Sequence, residues 1–249
     1  MPGYEFAEPP VVLTHLCCAI PPPLRGTSLY TREAWALPRQ CDKLQFTAYM
    51  ERIHMIRIAK ETDISQMLSI YAPYILHTTH TFEYNVPTES EFLERFRRIT
   101  VRHPWLVWEE DGQILGYAYG SAPFERDAYR WSCECSIYLR PQAHRRGIGR
   151  QLYTALEAIM AYQGHRQCYA IVTEENRDSL AFHRNMGYKV AAEMPGCGRK
   201  FGRWLGIIWM EKTLNFVENP TGFPVEWQAI RQDEQKISDI LDILSLSQI

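Results

Sequence analysis

The densest chemical signal in the chain is the stretch YLRPQAHRRGIGRQLY, from Tyr138 to Tyr153. A strand-like run ends at Pro141, a basic turn follows, and Ile148 begins a run suited to a helix. The first amides of a helix have no intrahelical acceptor, so they point outward as donors. A diphosphate fits there, favoured by the helix dipole. Gly147 and Gly149 let the backbone approach such a group, and Arg145, Arg146 and Arg150 add charge. Neither GxxxxGK[ST] nor GxGxxG is present, so the turn is not a Walker loop or a dinucleotide fingerprint. Alone it leaves two readings open: a diphosphate cradle, or a solvated turn before an ordinary helix.

Just upstream, Glu134 lies mid-strand in the apolar and aromatic run Trp131–Leu139. Strand alternation puts Glu134, Ser136 and Tyr138 on one face and Cys133, Cys135 and Ile137 on the other. A carboxyl in such surroundings is expected to titrate above its usual range, where it serves as a general base near neutral pH. The seven cysteines show no CxxC pair and no zinc spacing. They read as reduced thiols of a cytoplasmic protein, with Cys133 and Cys135 as core residues. His15, His54, His77, His80 and His165 form no ligand set, so no metal is expected.

The elements that must position these groups follow from periodicity. Met55–Ala59 reads as a first strand, with Asp63 placed to cap the helix that follows. Ile64, Met67, Leu68, Tyr71 and Ile75 give that helix one apolar face. Thr88-Glu89-Ser90-Glu91 is a capping-box pattern opening a second helix with Phe92, Phe96 and Ile99. Trp105–Glu110 and Gln113–Ser121 flank Asp111-Gly112 as a hairpin. After the strand bearing Glu134 come a helix from Ile148 to about Gly164, a strand at Gln167–Val172 and a short helix at Ser179–Met186. Two strands at Tyr188–Ala192 and Arg203–Leu214 close the series. The order β-α-α-β-β-β-α-β-α-β-β predicts an α/β (α+β) fold, a mixed central sheet with helices on both faces. The antiparallel hairpin before the basic turn disfavours a Rossmann arrangement.

The whole chain has 249 residues, 46% hydrophobic and 22% charged, which suits a globular domain of ordinary size with extensions. Residues 1–54 are proline-rich and aperiodic and read as an irregular extension, with Met55 an alternative internal start. Residues 55–215 form the domain. Residues 216–249 form a tail whose Ile237, Ile240, Leu241 and Leu244 make an amphipathic helix, expected to dock on its own domain. Val11–Ile20 is too short to span a bilayer and follows Glu5 and Glu8 rather than a basic segment, so no signal peptide is expected. A net charge of −2 supplies no global field toward nucleic acid or membrane.

The basic turn resembles the acetyl-CoA motif of the GNAT superfamily, Q/R-x-x-G-x-G/A, with His144 in the first place. Downstream, Asn176, Ser179, His183 and Gly187-Tyr188 fall on the family's Asn-x-x-Ala/Ser-x-x-x-Tyr-x-x-x-Gly-Phe/Tyr ending, with His183 in the tyrosine place. The strings His103-Pro104-Trp105-Leu106-Val107, Ala128-Tyr129-Arg130-Trp131 and Lys200-Phe201-Gly202-Arg203-Trp204 resemble those of phosphinothricin and methionine-sulfoximine N-acetyltransferases. The resemblance implies a GNAT acyl-CoA N-acyltransferase fold from about Ile56 to Leu214. It also implies acetyl-CoA as co-substrate and acetylation of the α-amino group of a small amino acid or amino-acid-like toxin, in a ternary complex.

An amino acid's ammonium is mostly protonated at neutral pH, so a base is required, and Glu134 is the candidate. On this resemblance His183 is the second catalytic residue, its role open among acid, base and anchor. Ile137, Tyr138 and Leu139 meet the pantetheine arm by strand addition, with the Ile137 amide the expected oxyanion donor. Asn176 joins the cofactor site. Arg126 matches a substrate-loop arginine suited to the substrate carboxylate, with Phe82, Tyr119 and Tyr129 as pocket walls. Relatives of this type are commonly homodimers, which sets the expected assembly. The open alternatives are a GNAT enzyme for another amine, such as a protein N-terminus or an amine metabolite, and a non-catalytic acetyl-CoA-binding regulator.

Overall fold

The computed structural model describes residues 56–216, 218–233, 235 and 237–241. The proline-rich first segment, His15, His54, Met55 and Leu244 lie outside the described residues. The order of elements is β1 (Ile56–Ile58), α1 (Ile64–His77), α2 (Glu89–Ile99), β2 (Trp105–Glu110), β3 (Gln113–Ser121), β4 (Ser132–Leu139), α3 (Ile148–Gln163), β5 (Gln167–Thr173), α4 (Arg177–Asn185), β6 (Lys189–Lys200), β7 (Arg203–Thr213) and a short α5 (Trp227–Ile230). The strands form one seven-stranded sheet in the order β1-β2-β3-β4-β5-β7-β6. Every neighbouring pair is antiparallel except β4 with β5.

Two apolar clusters sit on the two faces of this sheet. On one, α1 and α2 bury Met67, Ile75, Phe92 and Phe96 against Trp105, Val107, Ile114 and Tyr117. On the other, Leu152, Tyr153, Leu156 and Ile159 of α3 pack on Leu106, Ala118, Cys133, Cys135, Cys168 and Met210. Trp227, Ile230 and Ile237 belong to this second cluster, with Ile240 and Leu241 packed on it. The segment after 215 therefore contributes to the domain core. Burying an aromatic side chain such as Trp227 is worth about 2–3 kcal/mol before entropy is charged against it.

Two local expectations differ from the structure. Asp63 makes no side-chain cap for α1. Its carboxylate instead accepts from Arg57 at 2.7 Å and from the Lys60 amide at 2.7 Å, because a buried carboxylate is better satisfied by a guanidinium than by one helix amide. The Thr88–Glu91 capping box is present as expected. The strand expected at Tyr188–Ala192 instead runs Lys189–Lys200. Register shifts between Val190 and Ala192 and between Met194 and Gly198 absorb Pro195 and Gly196, residues that locally signal a break.

Candidate functional site

The parallel ladder between β4 and β5 contains only Ser132–Gln167, Cys133–Cys168 and Glu134–Tyr169. Both strands continue, to Leu139 and Thr173, but without further pairing. Glu134 therefore stands at the point where the sheet splits. Beyond it, strand geometry decides which backbone groups enter the gap. The Arg140 amide donates to the Leu115 carbonyl of β3, so even-numbered residues turn their backbone toward β3. By the two-residue period, Cys135, Ile137 and Leu139 turn theirs toward the opening. Two side chains mark its ends: the Tyr153 hydroxyl lies 3.2 Å from the Cys135 carbonyl, and the Tyr74 hydroxyl donates to the Leu139 carbonyl at 2.7 Å. Of the three residues expected to meet an extended ligand, Ile137 and Leu139 offer backbone groups there. Tyr138 turns its backbone away and packs its ring beside Tyr71 and Tyr74.

The basic turn closes the lower end of this gap. Gly147 has a φ of 81° and forms the N-cap of α3, a left-handed conformation that glycine adopts without strain. A Cβ on Gly149 would lie 3.3 Å from Leu139 Cδ1, 3.6 Å from Ile137 Cδ1 and 3.7 Å from Phe182 Cε2. The helix start, β4 and α4 thus converge on one point, with the free amides of α3 facing outward. Arg145 and Arg150 are exposed beside it, and Ile148 is buried as the anchor of the helix. Arg146 differs from expectation: its guanidinium pairs with both Glu110 carboxylate oxygens, at 2.8 and 2.9 Å, so its charge is already partly neutralised. Asn176 also has a local task, since its side-chain oxygen caps α4 by accepting from the Ser179 amide at 3.1 Å.

Glu134 and His183 approach the split from opposite faces. Glu134 shares its face with Tyr119 and Ser136, the α1–α2 side. Burial pushes its carboxyl up to about 7. His183 is buried on the α3 side, where Nε2 lies 2.9 Å from the Tyr153 hydroxyl and Nδ1 lies 2.8 Å from the Ser179 carbonyl. Burial lowers its pKa, so the ring is neutral at pH 7. The Cys133, Cys135 and Cys168 sulfurs lie within 4.8 Å of one another beneath the split. Burial pushes the Cys133 thiol well up, which keeps it protonated.

On the substrate side, Phe82 lies in the α1–α2 connection and packs flush on Gly198 of β6, leaving no room there for a Cβ. Lys200 is buried and donates to the Thr81 carbonyl at 2.7 Å, pinning this connection to β6. Tyr119 stacks on Trp105 with ring centroids 4.2 Å apart. Tyr129 packs against Phe124 at 4.7 Å, and Phe124 stacks on Trp209 at 5.7 Å. Arg126 is exposed at the head of the Asp127–Tyr129 turn. Sequence reasoning gave no site role to Tyr74, Tyr153, Phe182 or Lys200. Tyr153 falls on the apolar stripe of α3 and reads there as core, and nothing in local spacing reveals that its hydroxyl reaches β4.

These features define an acyl-CoA transferase architecture: a split parallel pair, a buried carboxyl at the split and a basic, glycine-containing helix start below it. Residues 56–209 match the acetyltransferase (GNAT) domain family, and the chain belongs to it. It is an acetyltransferase with acetyl-CoA as donor. The chain is 35% identical over 162 residues to the phosphinothricin N-acetyltransferase of Alcaligenes faecalis, covering 64% of this chain and 82% of that one. It is 32% identical to an L-methionine sulfoximine/L-methionine sulfone acetyltransferase of Salmonella typhimurium, covering 64% and 94%. Among solved structures, it is similar to a phosphinothricin acetyltransferase from Sinorhizobium meliloti in complex with acetyl-CoA, with a TM-score of 0.65, 34% identity and coverage of 68% and 94%. Among the described residues no helix is long and apolar enough to cross a membrane.

Proposed function

We propose that the chain transfers acetyl from acetyl-CoA to the α-amino group of a small amino acid or amino-acid-like toxin of the phosphinothricin, methionine sulfoximine or methionine sulfone type. The amine attacks directly in a ternary complex, and no acyl-enzyme forms. The observation that carries this reading is Glu134: a carboxyl at the split, with its pKa raised by burial to about 7, is matched to removing a proton from an ammonium near neutral pH. The names of the relatives support the substrate class.

The chain's own residues divide the work. The α3 amides, Gly147, Gly149, Arg145 and Arg150 hold the diphosphate of the donor, and the opening along Ile137 and Leu139 holds its extended arm. Bound there, the donor supplies an activated acetyl thioester. Glu134 takes the ammonium proton, and the Ile137 amide, turned into the opening, offers a hydrogen bond to the oxygen on which negative charge develops. Arg126 meets the substrate carboxylate, and Phe82, Tyr119 and Tyr129 wall the side-chain pocket. His183 is the second catalytic-site residue, on the far face. The assembly is a homodimer in the cytoplasm.

Free-thiol release from acetyl-CoA is the test, run with phosphinothricin, methionine sulfoximine, methionine sulfone and the ordinary amino acids. Release with one of these supports the reading. Release only with a peptide N-terminus or another amine moves the substrate, and tight acetyl-CoA binding without release from any amine leaves a non-catalytic binder. Sedimentation checks the dimer.

A further inference from the structure

One group of side chains that acetyl transfer leaves unused lies under β4. Cys133 and Cys168 are directly opposite each other in the parallel ladder, and Cys135 follows two residues on, on the same face of its strand. All three are buried. Their sulfurs lie within 4.8 Å of one another, with Cys135 and Cys168 at 3.2 Å. Sulfurs held at about 2.3 Å from one ion in a plane stand about 4 Å apart, so that pair has to part by under about 1 Å to admit an ion.

The donor set selects the ion. No fourth His, Cys, Asp or Glu atom joins the three sulfurs among the described residues. Zinc closes a structural site with four ligands, and calcium and magnesium take oxygen, so none of them fits. Copper(I) is soft, prefers thiolate and is satisfied by three sulfurs.

The surroundings limit how much charge such a site can hold, because Leu152, Leu156 and Met210 belong to the same apolar cluster. Two S–H bonds break as two Cu–S bonds form, both protons leave to solvent, and the third sulfur binds as a neutral thiol. Copper stays monovalent throughout, and a single net negative charge remains. Donors face it: the Tyr188 hydroxyl donates to Cys168 Sγ at 3.1 Å, and Lys212 Nζ lies 5.7 Å from the centre of the Tyr188 ring. Cys168 is accordingly one of the two thiolates.

The position of the sulfurs gives the site a consequence. The ladder ends at Glu134–Tyr169, and Cys135 is the first β4 residue beyond it. An ion held by Cys135 and Cys168 ties the strands together where they otherwise part, at the root of the opening along Ile137 and Leu139. We propose that Cys133, Cys135 and Cys168 form a three-sulfur site for copper(I), and that filling it narrows the split and weakens acetyl-CoA binding. The ion is no cofactor of the transfer; it is a ligand that opposes it.

Copper(I) itself is the probe, supplied without oxygen from a chelator complex to the full chain carrying Cys17→Ser, Cys18→Ser, Cys41→Ser and Cys197→Ser. That background keeps the three buried thiols as its only cysteines. One ion per chain is expected, with three sulfur neighbours in X-ray absorption. Acetyl-CoA Kd in calorimetry should rise about tenfold, the worth of one or two hydrogen bonds lost from its arm, and excess chelator should restore it. Acetyl-CoA carries a thioester and no free thiol, so it does not compete for the ion, and the readout is independent of which amine is acetylated. Cys135→Ala and Cys168→Ala in the same background should each lose the ion, with circular dichroism checking the fold and Cys135→Val and Cys168→Val as alternates where the smaller residue unfolds the chain. No bound ion, an ion kept by both the Cys135 and the Cys168 variants, or an ion bound with acetyl-CoA Kd unchanged overturns the proposal.

Discussion

His183 and the pair His103–His165 are buried to the same degree, at 3%, 4% and 3% exposure, but their surroundings differ in kind. His103 and His165 stack at 5.4 Å between ring centroids. They lie beneath the strap formed by Pro224, Val225 and Glu226, in a pocket shared with Arg102 and Arg130. The strap is closed by backbone bonds, Val225 to Gln163 at 2.8 Å and Trp227 to Arg102 at 3.2 Å. Burial pushes His103 down to about 3 and His165 down to about 4. His183 lies instead where a ladder ends and strand edges remain open. A buried titratable side chain is thus no mark of chemistry by itself. A strand ladder that ends beside it, and a buried carboxyl with a raised pKa, are what separate the split from the strap.

The largest expected effect tests the split. Glu134→Gln should lower kcat by at least about 100-fold, the usual worth of a positioned base, with acetyl-CoA Kd unchanged in calorimetry. The rising limb near pH 7 should vanish with it. Because the folded pKa of Glu134 is raised, the native state holds its proton between about 4.5 and 7 while the unfolded chain releases it, so wild-type stability falls across that window. Glu134→Gln should therefore be more stable at pH 8, by up to about 3 kcal/mol in urea unfolding. Retained turnover with the limb intact would make the two regions alike.

The strap should show the opposite linkage. The folded pKa values of His103 and His165 are depressed, so their contribution is complete above about 6.5 and is lost as pH falls through about 4 and 3. His165→Phe should flatten this acid loss by roughly 2–3 kcal/mol between pH 6.5 and 4, with kcat unaltered at pH 8. An effect on kcat would connect the strap to the reaction and dissolve the contrast.

Two smaller changes sharpen the split alone. Arg126→Ala should raise the amino-acid KM about tenfold with kcat nearly constant, as loss of uniform binding does. An unmoved KM removes Arg126 as carboxylate anchor. Glu110→Gln should free Arg146 and tighten acetyl-CoA by about two- to threefold, the scale of an exposed ion pair. No change would mean that Arg146 does not reach the diphosphate.

Much of this was legible in advance, for reasons that are local. The hairpin Trp105–Glu110 and Gln113–Ser121 follows from alternation about Asp111-Gly112, and its observed bounds are those same residues. The α3 start follows from two glycines and a basic turn. The opposite faces of Glu134 and Cys135 follow from a period of two. The full length of β6 did not, because bulges are settled by the partner strand and not by Pro195 or Gly196 themselves.

The sequence by itself determined the order of elements, the basic glycine turn that opens α3 and the side of β4 on which the carboxyl sits, since each depends on neighbours within a few residues. Tertiary structure alone decided that the β4–β5 ladder stops at Glu134, that Arg146 is drawn to Glu110 and that the Tyr153 hydroxyl stands between His183 and the Cys135 carbonyl. Those facts join residues 18 to 36 positions apart in the chain. Hydrogen-bond satisfaction at such range is set by where packed elements bring the donors and acceptors, and no local pattern encodes it.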